Sequence, residues 1–316
     1  MARKYGTSDG VIRAFVRDES HPYTNSSGSV TQEKDILYSY LEPIAVQRHD
    51  GLIVVNGDKW SVTTNKHQSE LQMIVYLRNH FTASFSAIAQ FVEMPRRMMA
   101  QRLRDGKIEV LSHTEDFIAY YVRKENVFKS KGHIYKMEDL PAGVEIRYSK
   151  DEFGNFQPSV AHMAASCLLK YENRYGLASM DEQSYFCSIL SRPAETVSDA
   201  FYSLKPEETV EAERKGLEIF RQGEWFFIPH LIGKEAREQY NQMETIFKLV
   251  GRNGGNPHIA TRGVWLDEQR GIAEVSGQIR HDEHRMLQLS TSDDPVIYVA
   301  VENTAVRSFS AMGRVD

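Results

Sequence analysis

Histidines, carboxylates and aromatics gather between residues 221 and 284 more densely than elsewhere in this chain. The stretch holds four of the eleven histidines, His230, His258, His281 and His284, and two of the three tryptophans. His281 and His284 stand three apart, so one helical turn would present both imidazoles to one side. His258, with Asp282 or Glu283, would then complete an N/O ligand set for a divalent metal. Without a metal, His258 oriented by Asp282 would serve as a general base, because imidazole titrates near neutral pH. The competing reading is a solvated polar turn, DEHR, between two strands. The glycine-rich loop at 251–257, GRNGGNP, lacks the lysine and Ser/Thr of a phosphate-binding P-loop and follows a helix, which excludes a nucleoside-triphosphate site of that kind.

Two further constellations point toward nucleic acid. The segment FSAIAQFVEMPRRMMAQRLR, residues 85–104, is the most basic window of an acidic chain. Ala89 takes the small position of a helix-turn-helix, Ile88 and Met94 fix the turn, and Met99 and Leu103 bury the second helix. Arg96, Arg97, Gln101, Arg102 and Arg104 are then available to phosphates and base edges. Pro95 suits the first turn of the second helix, but Glu93 occupies the position where such turns usually carry glycine. In RQGEWFFIP, Trp225 and Phe227 fall on one face of a strand and Phe226 on the other. A core-filling hairpin explains that alternation, and a platform for stacking bases is the functional alternative.

A fourth stretch, GDKWSVTTNKHQ at 57–68, contains Ser61, Thr63 and His67, yet helix capping by Thr64 or Asn65, with Gln68 in a capping box, accounts for most of it.

The elements that must position these residues follow from pattern. Residues 1–30 read as a flexible polar arm. Residues 36–64 are strand-rich, with a turn at Asn56-Gly57-Asp58, and 66–81 read as an amphipathic helix. The window 84–105 is helical and broken near Pro95. Residues 107–111 and 117–123 read as a strand pair that could serve as a wing, and 160–175 as a helix stopped by Gly176. A domain boundary falls at 150–158. Beyond it come a hairpin around Gln222-Gly223-Glu224, a helix over about 234–250, and strands at 259–266, 272–279 and 296–301. Hairpin geometry about Arg270-Gly271 puts His258 and His281 at the same end of their sheet. The fold class is therefore α+β: a small N-terminal antiparallel sheet with helices at 31–155, and a C-terminal antiparallel sheet with helices at 156–316.

Composition bounds the class of protein. At 316 residues, 41% hydrophobic and 26% charged, the chain can bury a sizeable core. A net charge of −5 argues against a protein devoted to coating nucleic acid, while leaving room for a local basic patch. Cys167 and Cys187 sit in apolar company and read as buried small hydrophobes. No apolar run approaches the roughly 20 residues of a membrane helix, so a soluble, cytoplasmic protein is expected, with no membrane partner.

The segments YSYLEPIAV, VVNGDKWSVTTNKHQ and RQGEWFFIP resemble uncharacterised proteins of viral, plasmid and environmental origin that share SVTTxKHQ and RQGEWFF stretches. The resemblance implies a mobile-element setting and an association with nucleic acid, and it assigns no catalytic residue. The leading expectation is a non-enzymatic accessory or regulatory protein that binds DNA or RNA. The alternatives are a hydrolase or nuclease using the C-terminal histidines, with or without a divalent metal, and a protein–protein module that pairs with another chain or with itself.

Overall fold

Alternation along the first strands determines how they are covered. In a strand, neighbouring side chains point to opposite faces, and here both faces are apolar: Ile36, Tyr38, Val46 and Val54 enter one core, while Leu37, Ala45, Ile53 and Val55 enter another. Such strands need a layer on each side. The computed structural model describes residues 3–17, 22–75, 78–130, 132–140, 144–150, 156–181, 184–251, 256–282, 285–305 and 307–310.

The first sheet takes its strands in sequence order. These are β1 (Arg3–Tyr5), β2 (Tyr23–Asn25), β3 (Val30–Glu33), β4 (Ile36–Ser39), β5 (Glu42–Gln47), β6 (Ile53–Asn56) and β7 (His80–Ala83). The middle pairs are antiparallel, but β1 with β2 and β6 with β7 are parallel. Each parallel pair is bridged by a helix, α1 (Ser8–Val16) and α2 (Val62–Val75) respectively. The two helices pack on each other over one face of the sheet. The expected arm is thus part of the core, because Val11, Ile12 and Phe15 of α1 are fully buried. The helix expected at 66–81 starts earlier and stops at Val75, so that β7 can join the sheet. Ser61, not Thr64 or Asn65, accepts from the N–H of Thr64 at the helix start, at 3.2 Å.

The opposite face is covered by α3 (Phe85–Phe91) and α4 (Arg96–Arg104), which break at Pro95 as expected. Ser84 caps α3 by accepting from Ala87 N–H at 2.9 Å. Strand β8 (Glu109–His113) follows. Then five strands form a sheet of their own: β9 (Phe117–Val122), β10 (Val127–Ser130), β11 (His133–Tyr135), β12 (Glu145–Lys150) and β13 (Phe156–Met163). This sheet hangs from a neck where Thr114 and Ser166 exchange hydrogen bonds of 2.8 Å each. Consequently β8 and β9, expected as a pair, lie in different sheets.

The chain returns through β14 (Cys167–Tyr171), β15 (Arg174–Asp181) and β16 (Ser184–Ile189), where a helix at 160–175 was expected. Cys167, Leu168 and Leu169 are all buried, so this strand is apolar on both faces and its spacing imitates a helix. Gly176 is no helix stop. It lies in β15, where a Cβ would stand 3.0 Å from the ring of Phe91 on α3. Cys167 and Cys187 are buried free thiols, and burial pushes both upward in pKa.

Helices α5 (Val197–Ser203) and α6 (Glu207–Arg214) lead to the last sheet. It comprises β17 (Phe220–Gln222), β18 (Trp225–Leu231), then after α7 (Gly233–Gln242) β19 (Glu244–Leu249), β20 (His258–Asp267), β21 (Ile272–Arg280), β22 (Leu287–Gln288) and β23 (Ile297–Glu302). The order is β17-β18-β23-β21-β20-β19, with β22 beside β21, all antiparallel. The helix expected to reach residue 250 ends at Gln242 because Thr245, Ile246 and Phe247 continue as strand. Finally β24 (Arg307–Ser310) pairs with β16, giving a central sheet ordered β24-β16-β15-β14-β8. This sheet and the first one share a core in which Phe81, Phe85 and Met99 meet Cys167, Leu169 and Cys187. The boundary expected at 150–158 therefore falls inside the sheet inserted between β8 and β14, between the end of β12 and the start of β13. The α+β class holds.

Candidate functional site

The last sheet curls until its two ends meet. Trp225 of β18 packs 6.3 Å from Trp265 of β20, and both line one core with Phe247 and Leu249 of β19. The curl brings the β17–β18 turn against the far end of β19. A Cβ on Gly251 would stand 3.0 Å from Glu224 Oε1 and 3.1 Å from Glu302 Oε1. Two carboxylates thus flank one glycine, where any larger residue would press on both.

His258 opens β20 beside Leu249, and His281 directly follows β21. Their rings stack at 4.2 Å between centroids and 23° between planes. Hairpin geometry about Arg270-Gly271 predicts this adjacency, and the structure places the imidazoles accordingly. His258 is fully buried, and its Nδ1 lies 3.8 Å from Glu224 Oε1. The carboxylate that reaches His258 is therefore Glu224, while Asp282 is exposed. His281 is half-buried, with Nε2 at 3.1 Å from the carbonyl of Asn256. A carbonyl only accepts, so Nε2 carries the proton and Nδ1 is the basic nitrogen.

Electrostatics separate the members of this quartet. Burial raises Glu224 above the ordinary carboxylate value, and the Glu302 carboxylate raises it further, against the opposing pull of His281. Glu302 is only 4% exposed, whereas the Glu224 side chain keeps 31%. Glu224 and His281 are thus the members that face solvent, with His258 and Glu302 behind them. A carboxyl whose pKa is raised beside an imidazole is an arrangement suited to proton transfer. The metal reading needs His284, which lies outside the described residues, as do residues 252–255 of the glycine-rich loop. Among the described residues no three His, Cys, Asp or Glu side chains are placed to hold an ion.

Neither Glu224 nor Glu302 stands out in sequence. Glu224 sits in the tip of the RQGEWFF hairpin, and Glu302 ends a strand some 80 residues away in the chain. Turn chemistry at Gly223 was the available signal for the first, and nothing local marked the second. Trp225 and Phe227, the residues expected to stack on bases, are both fully buried and fill the core. A base could reach them only by opening the sheet.

The α3–α4 pair is two helices joined by a short turn at 92–95. Glu93, at the turn position that glycine usually takes, adopts the left-handed conformation with φ 55°. Ile88, Ala89, Met99 and Leu103 are buried as a helix-turn-helix requires. The arginines are less available than expected. Arg96 makes hydrogen bonds of 3.0 and 3.1 Å to Glu42 and lies 4.0 Å over the Trp60 ring. Arg97 stands 3.7 Å from Glu33, and Arg104 pairs with its neighbour Asp105 at 2.7 Å. Gln101 is exposed and Arg102 half-buried. Glu93 itself holds Arg174 at 2.7 Å. This surface alternates in charge, unlike a phosphate-reading face.

No helix among the described residues is long and apolar enough to cross a membrane. No curated protein and no solved structure matches the chain. Residues 12–79, from α1 through α2, match a family of unknown function (DUF8033).

Proposed function

We propose that the chain is a hydrolase that moves protons through Glu224 and His281, without requiring a metal. The supporting observation is the meeting of Glu224, His258, His281 and Glu302, drawn from separate stretches, at one part-exposed spot of a curled sheet. In the reaction, His281 Nδ1 takes a proton from an attacking water while protonated Glu224 gives one to the leaving oxygen. Both groups return to their starting states when the His281 proton passes back to Glu224. His258 acts as a positioning residue, holding the His281 ring by stacking, and burial together with the Glu302 carboxylate raises the proton affinity of Glu224. Ester and phosphodiester substrates suit this chemistry, since each releases an oxygen leaving group. The test is hydrolysis of p-nitrophenyl acetate, bis(p-nitrophenyl) phosphate and a short RNA in the presence of a chelator. Turnover of at least one, lost in Glu224→Gln and His281→Ala, is expected. A wild-type protein that turns over none of the three overturns the proposal.

The α3–α4 pair favours a second reading, a nucleic-acid-associated accessory protein in a mobile-element setting. Glu93 in the left-handed region is the observation behind it, and the ion pairs of Arg96 and Arg97 speak against it. Duplex-DNA affinity measured across a salt series tests it: affinity that does not fall with salt removes phosphate contact from this surface.

A further inference from the structure

The two helices that cover the first sheet end side by side, and their ends border an open hollow of about 360 Å³ lined by Arg13, Val16, Arg17, Ile74 and Arg78. Three of the five described lining residues are arginines. Arg13 and Arg17 are one turn apart on α1, and Arg78 follows α2. We propose that this cup is a binding site for a phosphate-bearing ligand, and the proposal is independent of the acid–base reading of the C-terminal quartet.

Charge accounting is the first argument. Arg13 is paired with Asp9 at 2.7 Å, an exposed contact that water and salt weaken. Arg17 and Arg78 make no ion pair among the described residues, in a chain whose net charge is −5. Elsewhere arginines of this protein are commonly matched, as Arg48 is with Asp50 and Arg174 with Glu93. Gathering three guanidinium groups without equal counter-charge costs repulsion. The negative ends of two helix dipoles offset part of that cost, since both α1 and α2 end here. An anion seated among the three would offset the rest.

Guanidinium geometry narrows the anion. Each arginine offers a planar fork of N–H donors, and forks arriving from different directions suit a tetrahedral anion with several oxygens. The remaining wall is apolar: Val16 is nearly buried and Ile74 half-buried. An apolar wall beside the cations favours a phosphate carrying an organic group over a bare ion. The ligand class is therefore a phosphomonoester or phosphodiester, supplied either by a free nucleotide or by the backbone of a nucleic acid. All five described lining residues fall within the span that matches the family of unknown function.

The experiment is calorimetric titration of the whole chain with three probes: inorganic phosphate, adenosine monophosphate and a twenty-nucleotide single-stranded DNA. Wild type is compared with the double variant Arg17→Ala/Arg78→Ala and with Arg17→Lys/Arg78→Lys. Thermal unfolding serves as the folding check, and both positions are exposed. The alanine pair should weaken binding at least tenfold and flatten its salt dependence. The lysine pair, keeping charge but losing the fork, should restore only part of the affinity. Binding of the nucleotide identifies a small-molecule site, and binding of the oligonucleotide alone identifies a nucleic-acid backbone site; either supports the cup. Failure of all three probes to bind, or equal binding by wild type and the folded alanine pair, overturns it.

Discussion

Two buried histidines in this protein have opposite kinds of neighbour. His67 of α2 is surrounded by hydroxyls: its Nδ1 meets Ser39 at 2.9 Å and its Nε2 meets Ser8 at 3.4 Å, while Asn25 donates to Ser8 at 3.0 Å. His258 is surrounded by groups that ionise, with His281 stacked on one side and Glu224 on another. The first arrangement links α1, α2, β2 and β4 through hydrogen bonds to uncharged side chains, and burial lowers the pKa of His67. The second gathers groups that compete for protons, which fixes no single hydrogen-bond pattern. A hydroxyl-bound histidine is a structural tie, and under the proposed function a histidine beside a carboxylate is a place where protons move.

The sharpest way to break that comparison is by activity. Glu224→Gln and His281→Ala should each lower turnover by on the order of 100-fold or more, the usual share of a general acid or base. His67→Ala should leave turnover per folded molecule unchanged. A His67 variant that folds normally yet is inactive would reverse the assignments.

Stability gives the next largest effect. His67→Ala removes the imidazole between Ser39 and Ser8, which keep only Thr64 and Asn25 as partners, and leaves a gap in a buried setting, so it should cost about 2 kcal/mol. Denaturant unfolding measures it. Glu224→Gln should be neutral or stabilising near neutral pH, because it removes a crowded carboxyl.

The two regions should also answer pH with opposite signs. Glu224 has a folded pKa raised above its model value of 4.5. Its contribution to stability is full below pH 4.5 and is lost as pH rises through the folded value. His67 has a folded pKa lowered from 6.5. Its contribution is full above pH 6.5 and is lost as pH falls through the folded value. Unfolding curves from pH 4 to 8 should therefore show Glu224→Gln gaining on wild type as pH rises. The reverse slope would mean that Glu224 is held as a carboxylate.

The smallest expected effect concerns the helix pair. Arg96→Ala removes a half-exposed ion pair and a contact with Trp60, and should cost about 1 kcal/mol or less. A larger loss of stability would mark Arg96 as a keystone of the first sheet. A loss of DNA affinity without loss of stability would instead revive the nucleic-acid reading of α4.

Local pattern was enough to read some of these features. Pro95 announced the break between α3 and α4, and the turn residues 222–224 announced the RQGEWFF hairpin. The meeting of His258 and His281 followed from counting residues outward from Arg270-Gly271. What could not be read was mostly long-range. Glu302 stands beside Glu224 because it faces Trp225 in the β18–β23 ladder, and the histidines reach that pair only because the sheet curls, which leaves no local trace. Strands buried on both faces, such as β14, lose the alternation that separates strand from helix. The N-terminal arm failed for another reason: Val11, Ile12, Phe15 and Val16 were visible, but averaging them with the polar residues around them concealed an amphipathic helix. Arg13 and Arg17 show their one-turn spacing in sequence, whereas Arg78 joins them only through helix packing.

The pairing of β24 with β16 has a consequence for how this protein is made. The central sheet takes β8 from the first half of the chain, β14 to β16 from the middle, and β24 from residues 307–310. Its pairing of Ser188 with Ser308 spans 120 residues of chain, so the sheet gains order late in synthesis. Until residues 307–310 leave the ribosome, β16 has an open edge, the kind of template that draws in other chains. Slow folding with transient exposure of that edge is the expected kinetic signature, set by topology more than by stability. Ribosome-stalled chains ending before residue 300 should expose β16 to proteolysis, and chains that include β24 should protect it.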